Sequence, residues 1–186
     1  MAMSKVYQFL ADGFEPVEAL APVDVMRRAG INVVTVSIMG RAVVEAAHGV
    51  KVVADALFDE VDFSDADALV LPGGSLGTEN LSACEPLRAL LASANAEGKI
   101  IAAICAAPMV FGRMGILAGR RATCYPGCEG ELTGAKYTAA AVEQDDNIIT
   151  GCGPAASFEF GFAIVENFCG SEKVAVIREQ MRFNDL

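Results

Sequence analysis

The sequence predicts an α/β fold, in which a mostly parallel central sheet is flanked by helices. Apolar runs rich in branched residues, such as "INVVTVSI" at 31–38, alternate with segments of helical period. Strands that alternate with helices form a parallel sheet, because each helix carries the chain back across the sheet. The 186 residues are 53% hydrophobic and contain no repeat or linker, so we expect a single domain over 1–186.

The individual elements are predicted from short apolar runs and from helix boundaries. The predicted strands lie at 5–10, 31–38, 67–71 and 99–104, with two short strands that turn near Gly49 and a hairpin at 140–151. The predicted helices begin at proline or end at glycine and span 15–30, 84–98, a segment from 108 onward, and 154–170. The polar segment between 75 and 83 is expected to be a loop.

The charge balance argues against polyanionic partners. With 24 acidic and 14 basic residues, the net charge of −10 repels phosphate backbones and anionic lipid surfaces. We therefore expect neither nucleic acid nor membrane as a partner. The first apolar stretch, "VYQFL", is too short for a signal peptide core or a membrane span, so a cytoplasmic location is expected.

The chain contains six cysteines and one histidine, His48. Nothing points to secretion, so reduced thiols are favoured over disulfides. Cys124 and Cys128 form a C-x3-C pair, but no second pair accompanies them, and no metal site is expected. The spacing required for a phosphate-binding glycine loop is also missing, and we predict no cofactor.

Cys105 lies where a predicted strand ends, three residues ahead of Pro108, which would open a helix. A sharp bend between strand and helix, a nucleophile elbow, exposes its central side chain above the sheet, and the small Ala106 lets a substrate approach. The positive end of the helix favours the thiolate, the form that attacks carbon. A buried apolar cysteine is the alternative, and this stretch alone leaves both open.

Two other strand ends carry residues of chemical interest. Gly73 and Gly74 can turn successive amide hydrogens toward an anion, as in an oxyanion hole, although a simple tight turn is the alternative. Glu15 and Glu18 are three apart at the start of the first helix, where the helix dipole alone attracts acids. Because the carboxyl ends of parallel strands open into one crevice, we expect these groups to meet near Cys105.

Five stretches also occur in a characteristic order: "DGFEPVEA", "PVDVMRRAG", "VLPGG", "AAICAAP" and "SFEF". In this combination the chain resembles the ThiJ/PfpI superfamily, close to its parkinsonism-associated deglycase branch, nearly from end to end. The resemblance implies a flavodoxin-like α/β sandwich that is usually a homodimer. It also implies a cofactor-independent glyoxalase or protein deglycase that acts on methylglyoxal-type aldehydes and their glycated adducts.

The resemblance further assigns roles to individual residues. Cys105 matches the reactive cysteine, and Glu18 matches the glutamate that hydrogen-bonds its sulfur, with Glu15 nearby. The residues matched to oxyanion-binding amides are Gly73, Gly74 and Ala106. A protonated carboxyl beside a thiolate donates a hydrogen bond and stabilises it, so Glu18 is expected to be neutral.

The chain departs from the family pattern at one position. Many relatives carry a histidine about twenty residues past the cysteine, where this chain has Tyr125 in "TCYPG". His48 matches a place where relatives often carry a basic residue near the partner's active site. No histidine follows Cys105, which disfavours amidotransferase activity and ranks peptidase activity lowest. The main alternative is an oxidative-stress sensor or chaperone-like protein that works through oxidation of Cys105.

Overall fold

The computed structural model describes residues 4–183, and its centre is a seven-stranded sheet of order β10-β11-β7-β6-β1-β2-β5. Neighbouring strands pair in parallel, except that β10 pairs with β11 antiparallel at one edge. The strands are β1 (Lys5–Leu10), β2 (Asn32–Ser37), β3 (Val43–Glu45), β4 (Lys51–Val53), β5 (Ala56–Leu57), β6 (Ala68–Leu71), β7 (Ile100–Ile104), β8 (Arg121–Ala122), β9 (Lys136–Tyr137), β10 (Val142–Asp145) and β11 (Ile148–Gly151). The predicted α/β class with a mostly parallel sheet is confirmed.

Helices cover both faces of this sheet. They are α1 (Pro16–Arg28), α2 (Ser75–Ala83), α3 (Glu85–Ala96), α4 (Pro108–Arg113) and α5 (Ser157–Gln180). Helices α1 and α5 pack on one face over a core that includes Met26, Ala102 and Phe160. Helices α2, α3 and α4 cover the other face, where Leu91 and Phe111 are fully buried. Since the central strands are covered on both sides, β6 and β7 are apolar throughout, as is typical of buried parallel strands.

The strand register brings four segments together at the carboxyl edge of the sheet. Strand β6 lies between β1 and β7, with Leu69 paired to Tyr7 on one side and to Ile101 on the other. Strand β11 continues the parallel arrangement beyond β7, with Gly151 opposite Ile104. The segments that follow β1, β6, β7 and β11 therefore emerge side by side.

Two predicted boundaries are wrong. The polar segment expected as a loop forms α2, because Leu81 anchors it in the core and Gly77 lies so close to Phe14 that a Cβ would be 2.7 Å from the Phe14 backbone. The last helix was expected to stop at Gly170 but reaches Gln180. Gly170 does leave helical geometry (φ 78°, ψ 166°). The glycine that was expected to end the helix therefore separates two helical segments.

Within residues 4–183, no helix combines the length and apolar character needed to cross a membrane.

Candidate active site

Cys105 occupies a strained bend directly after β7. Its φ is 65°, a left-handed conformation that residues other than glycine rarely adopt. Its N–H donates to the carbonyl of Gly151 at 2.9 Å, and its own carbonyl accepts from the N–H of Tyr125 at 2.8 Å. These two bonds hold the strand-to-helix turn in a nucleophile-elbow geometry, and strain of this kind is concentrated at functional sites.

Backbone amides face the sulfur of Cys105, which is buried. The N–H groups of Gly74 and Ala106 donate toward it and act to lower its pKa. Gly74 has a φ of 89°, and a Cβ there would lie 2.3 Å from the carbonyl oxygen of Gly13. Glycine is therefore the residue that lets this amide reach the sulfur.

Glu18 supplies the carboxyl next to Cys105. It lies in the first turn of α1, is fully buried, and forms a side-chain hydrogen bond with Cys105. Its Oε2 accepts from the N–H of Gly73 at 3.0 Å, whereas its Oε1 is buried without a partner. A Cβ on Gly73 would lie 2.5 Å from Oε2 and 2.6 Å from the Cβ of Cys105. The absence of a side chain at Gly73 is what lets the acid and the thiol meet.

Two predicted roles need correction. The sequence reasoning assigns the amide of Gly73 to an oxyanion hole, but this amide is bound to Glu18. Glu15 caps α1, since its side chain accepts the N–H of Glu18 at 2.7 Å. Its half-buried carboxylate acts on the site at a distance, because its negative charge helps to raise the pKa of Glu18.

The ionisation of the pair differs in part from the expectation. Burial raises the pKa of Glu18 to about 7, against the hydrogen bond from Cys105 and the amide of Gly73, which lower it. This agrees with a carboxyl that can be neutral near physiological pH. Burial also raises the pKa of Cys105 to about 12, helped by the charge of Glu18 and opposed by the amides of Gly74 and Ala106. The direction of this shift is opposite to the one that the sequence predicts for the thiol.

The pKa of Cys105 is raised because its sulfur is inside the protein, where a charged thiolate loses its hydration. Near neutral pH the structure holds the Cys105 thiol beside a carboxyl whose pKa is about 7, close to the pH of the solution. A carboxylate whose pKa is near the working pH is an effective general base. Glu18 can therefore take the thiol proton from Cys105 as the sulfur attacks, so no thiolate is needed beforehand.

His48 and Tyr125, the two possible accessory residues, lie in different places. Tyr125 is joined to Cys105 through the backbone hydrogen bond described above. His48 is exposed at the tip of the β3–β4 hairpin, with a φ of 61°. It lines a cavity of about 640 Å³, whose other walls include Asp12, Gly74 and Leu76. The structure gives His48 no hydrogen bond or ion pair within residues 4–183.

The sequence reasoning missed Gly151. Its carbonyl holds the N–H of Cys105, and a Cβ there would lie 2.9 Å from Cγ1 of Ile104. The available signal was a glycine at the end of the strand "IITG", next to the predicted elbow in a parallel sheet. In the described part of the chain, no group of three or more His, Cys, Asp or Glu side chains is arranged to hold a metal ion.

Comparison with known proteins places this arrangement in a family. The model of the DJ-1/PfpI family matches residues 4–167. Protein DJ-1 homolog B of Arabidopsis thaliana is 39% identical over 175 residues, which are 93% of this chain and 40% of the relative. The Parkinson disease protein 7 homolog of Danio rerio is 35% identical over 189 residues, covering 100% of both chains.

A further curated relative and a solved structure are similar to this chain over most of its length. The glutathione-independent glyoxalase DJR-1.2 of Caenorhabditis elegans is 34% identical over 161 residues, which are 86% of this chain and 85% of the relative. The crystal structure of Drosophila melanogaster DJ-1beta superimposes with a TM-score of 0.93 at 33% identity, over 97% of this chain and 98% of that one. The chain spans about two fifths of the length of the Arabidopsis relatives. From the family match and the full-length relative, the chain belongs to the DJ-1/PfpI family.

Proposed function

We propose that this protein is a cofactor-independent glyoxalase that converts methylglyoxal-type α-oxoaldehydes to 2-hydroxy acids. It would also act on the early adducts of such aldehydes with amines, as a deglycase. The observation that carries the proposal is the hydrogen-bonded pair of Cys105 and Glu18, which lies beneath the amides of Gly74 and Ala106. A relative from Caenorhabditis elegans named as a glutathione-independent glyoxalase supports the reaction class.

In the first step, the sulfur of Cys105 attacks the aldehyde carbon and forms a hemithioacetal. The thiol proton passes to the carboxylate of Glu18, and the aldehyde oxygen becomes an alkoxide. The N–H groups of Gly74 and Ala106, which point at the sulfur in the resting protein, are placed to donate to an oxygen bound next to it.

In the second step, the hemithioacetal isomerises. Glu18 delivers its proton to the ketone oxygen and removes the proton from the former aldehyde carbon, which gives an enediolate. It then returns that proton to the former ketone carbon, so that this carbon carries a hydroxyl and a hydrogen and the carbon bound to sulfur becomes a thioester. Water then cleaves the thioester, which releases the hydroxy acid and returns the thiol to Cys105. The net reaction adds one water to the α-oxoaldehyde and needs no external oxidant or reductant.

The direct test follows lactate production from methylglyoxal by the purified protein. We expect Cys105→Ala to abolish turnover. Cys124→Ala is the matched control, since Cys124 is also a buried free cysteine, and it should retain turnover. Lactate formation by Cys105→Ala at the wild-type rate would overturn the mechanism.

A second candidate function, redox sensing, is favoured by the same donors. The amides of Gly74 and Ala106 and a protonated Glu18 could hold the oxygens of a sulfinate on Cys105. Formation of that sulfinate consumes two equivalents of peroxide, which are reduced to water. Intact-mass measurement after mild peroxide treatment separates the two functions: a gain of two oxygens at Cys105 without any aldehyde turnover would favour sensing.

We also propose a homodimer and a cytoplasmic location. Helix α1 and the β3–β4 hairpin expose the apolar residues Val17, Leu20, Val43, Val50 and Val53. The hairpin is fastened beside α1, because the N–H of Ala47 donates to the carbonyl of Phe14 at 2.8 Å. Light scattering should give twice the chain mass, and Val53→Asp should lower it; a wild-type monomer at micromolar concentration would contradict the dimer. The cysteines in the described residues are free, which suits a reducing compartment.

A further inference from the structure

Tyr125 is an exposed aromatic residue whose backbone is fixed against the reactive bend. Its N–H donates to the carbonyl of Cys105 at 2.8 Å, and its carbonyl accepts from the N–H of Cys128 at 3.0 Å. Pro126 follows it and restricts its backbone to extended geometry. Both backbone polar groups are thus used, and the position of Tyr125 relative to Cys105 is set by the fold.

The ring of Tyr125 packs on the other segment that holds the bend. A Cβ on Gly153 would lie 3.2 Å from the ring atom Cδ2 and 3.7 Å from Cε2, so one edge of the ring contacts that glycine. Gly153 comes two residues after Gly151, whose carbonyl holds the N–H of Cys105. The ring therefore lies between the 123–128 loop and the segment after β11, and each of these segments follows or contains a residue hydrogen-bonded to the backbone of Cys105.

The remaining surface of Tyr125 faces outward. The residue is 49% exposed, and its hydroxyl makes no hydrogen bond within residues 4–183. An aromatic face that is half open to solvent beside a buried nucleophile is available to a ligand, because nothing in the described chain already occupies it. Aromatic pairs gain more than their buried area alone provides, at ring separations of about 4.5–7 Å.

We propose that Tyr125 is a specificity-determining residue whose ring forms a wall at the entrance to Cys105. It favours α-oxoaldehydes with an aromatic substituent, R–CO–CHO with R an aryl group, over methylglyoxal. The aryl group packs on the ring while the aldehyde carbon reaches the sulfur, whereas a methyl group is too small to make that contact. This inference rests on the proposed attack of Cys105 on α-oxoaldehydes.

The first experiment compares kcat/KM for phenylglyoxal and methylglyoxal. We expect Tyr125→Ala to lower the ratio of the two about three- to tenfold, the size of one aromatic contact, mainly through a higher KM for phenylglyoxal. Tyr125→Phe should keep the ratio, which excludes a role for the hydroxyl as proton donor. Tyr137→Ala, which removes another exposed tyrosine from β9, is the matched control and should leave the ratio unchanged. Because general damage to the fold lowers both rates, the ratio reports on the ring alone.

The second experiment does not depend on turnover. Phenacyl bromide and bromoacetone both alkylate a thiol: a carbon–sulfur bond forms, bromide leaves with the electron pair of the carbon–bromine bond, and the thiol proton goes to Glu18 or water. Labelling of Cys105 is followed by intact mass, with Cys105→Ala as the blank. We expect Tyr125→Ala to slow phenacyl labelling relative to bromoacetone by the same three- to tenfold factor.

The outcomes separate the two proposals. Loss of the aryl preference in labelling together with no hydroxy acid from either aldehyde would overturn the glyoxalase and leave the aryl wall in place. An unchanged labelling ratio in Tyr125→Ala would overturn the aryl wall, whatever the turnover. Failure of both reagents to label Cys105 in the wild-type protein would overturn it as well, because the entrance would then be closed.

Discussion

Cys105 and Cys124 are two buried cysteines with different surroundings. Burial raises the pKa of each to about 12. At Cys124 the neighbouring Cys128 and Glu129 add to this effect, and no donor opposes it. At Cys105 two amides oppose the effect, and a buried carboxyl with a pKa of about 7 lies within hydrogen-bonding distance.

Burial raises the pKa of both thiols, so the candidate nucleophile is distinguished by the groups around its sulfur. Cys124 is fully buried in the core, and Cys128 and Glu129 act on it through their charge, without a hydrogen bond to its sulfur. Cys105 has Glu18 as a base and the amides of Gly74 and Ala106 as donors for a developing charge. The difference lies in the groups available during the reaction, a form of electrostatic preorganisation.

The largest effect on Cys105 is expected when its base is removed. Glu18→Gln keeps the shape of the side chain but cannot accept the thiol proton, so we expect kcat/KM for an α-oxoaldehyde to fall about 100- to 10,000-fold. In the wild-type protein the rate should rise as pH increases through about 7, because Glu18 then becomes ionised. The variant should lack this rise.

The control for this variant is Glu15→Gln. Glu15 is the helix cap, and a glutamine oxygen can still accept the N–H of Glu18, so its effect should be less than tenfold. If Glu18→Gln were within threefold of the wild type at every pH, Cys105 would have no advantage over Cys124 from its carboxyl.

A smaller effect is expected from a change in the spacing of the pair. Gly73→Ala places a methyl group 2.5 Å from Oε2 of Glu18, so the carboxyl must move away from Cys105. We expect a loss of about 1–3 kcal/mol in the free energy of unfolding, as for other overpacked sites, and at least a tenfold lower turnover. Gly130→Ala, at a glycine with no atom within 4 Å of the added methyl, is the control and should change neither quantity. Equal turnover in the two alanine variants would show that the close approach of acid and thiol is unimportant.

Most of the fold could be predicted from the sequence, because periodicity and strand composition depend on burial over many residues. The strands at 31–38 and 99–104 were found for this reason. The helix at Ser75–Ala83 was missed, since its packing depends on the close approach of Gly77 to Phe14, two segments far apart in the chain. The two-residue strands β5, β8 and β9 carry too few residues for any periodicity.

The sequence predicts which residues form the site better than it predicts their ionisation and hydrogen bonds. Parallel strand ends brought Glu18, Gly74 and Cys105 together as expected. The pKa of Cys105 could not be inferred, because it depends on burial and on the direction of nearby donors. A sequence motif specifies neither of these. The same limit explains why the amide of Gly73 was assigned to an oxyanion instead of to Glu18.

The ionisation of Glu18 also predicts how stability depends on pH. Its pKa in the folded protein, about 7, is above the ordinary value of 4.5, so folding favours the protonated form. The resulting stabilisation is complete below pH 4.5 and is lost as pH rises through about 7. Relative to Glu18→Gln, the wild-type protein should lose roughly 2 kcal/mol of unfolding free energy between pH 5 and pH 8. Urea denaturation of both proteins at the two pH values measures this, and a constant difference between them would mean that Glu18 is ionised throughout.

The smallest effect is expected at Cys124. Cys124→Ala removes one buried sulfur from a packed core, which should cost about 1–2 kcal/mol of unfolding free energy and leave turnover unchanged. Native iodoacetamide labelling should likewise leave Cys124 unmodified, because its side chain is fully buried. If Cys124→Ala instead lost turnover while remaining folded, a buried thiol without base or donors would be essential to the reaction. The contrast with Cys105 would then have to be explained by something other than the groups around the sulfur.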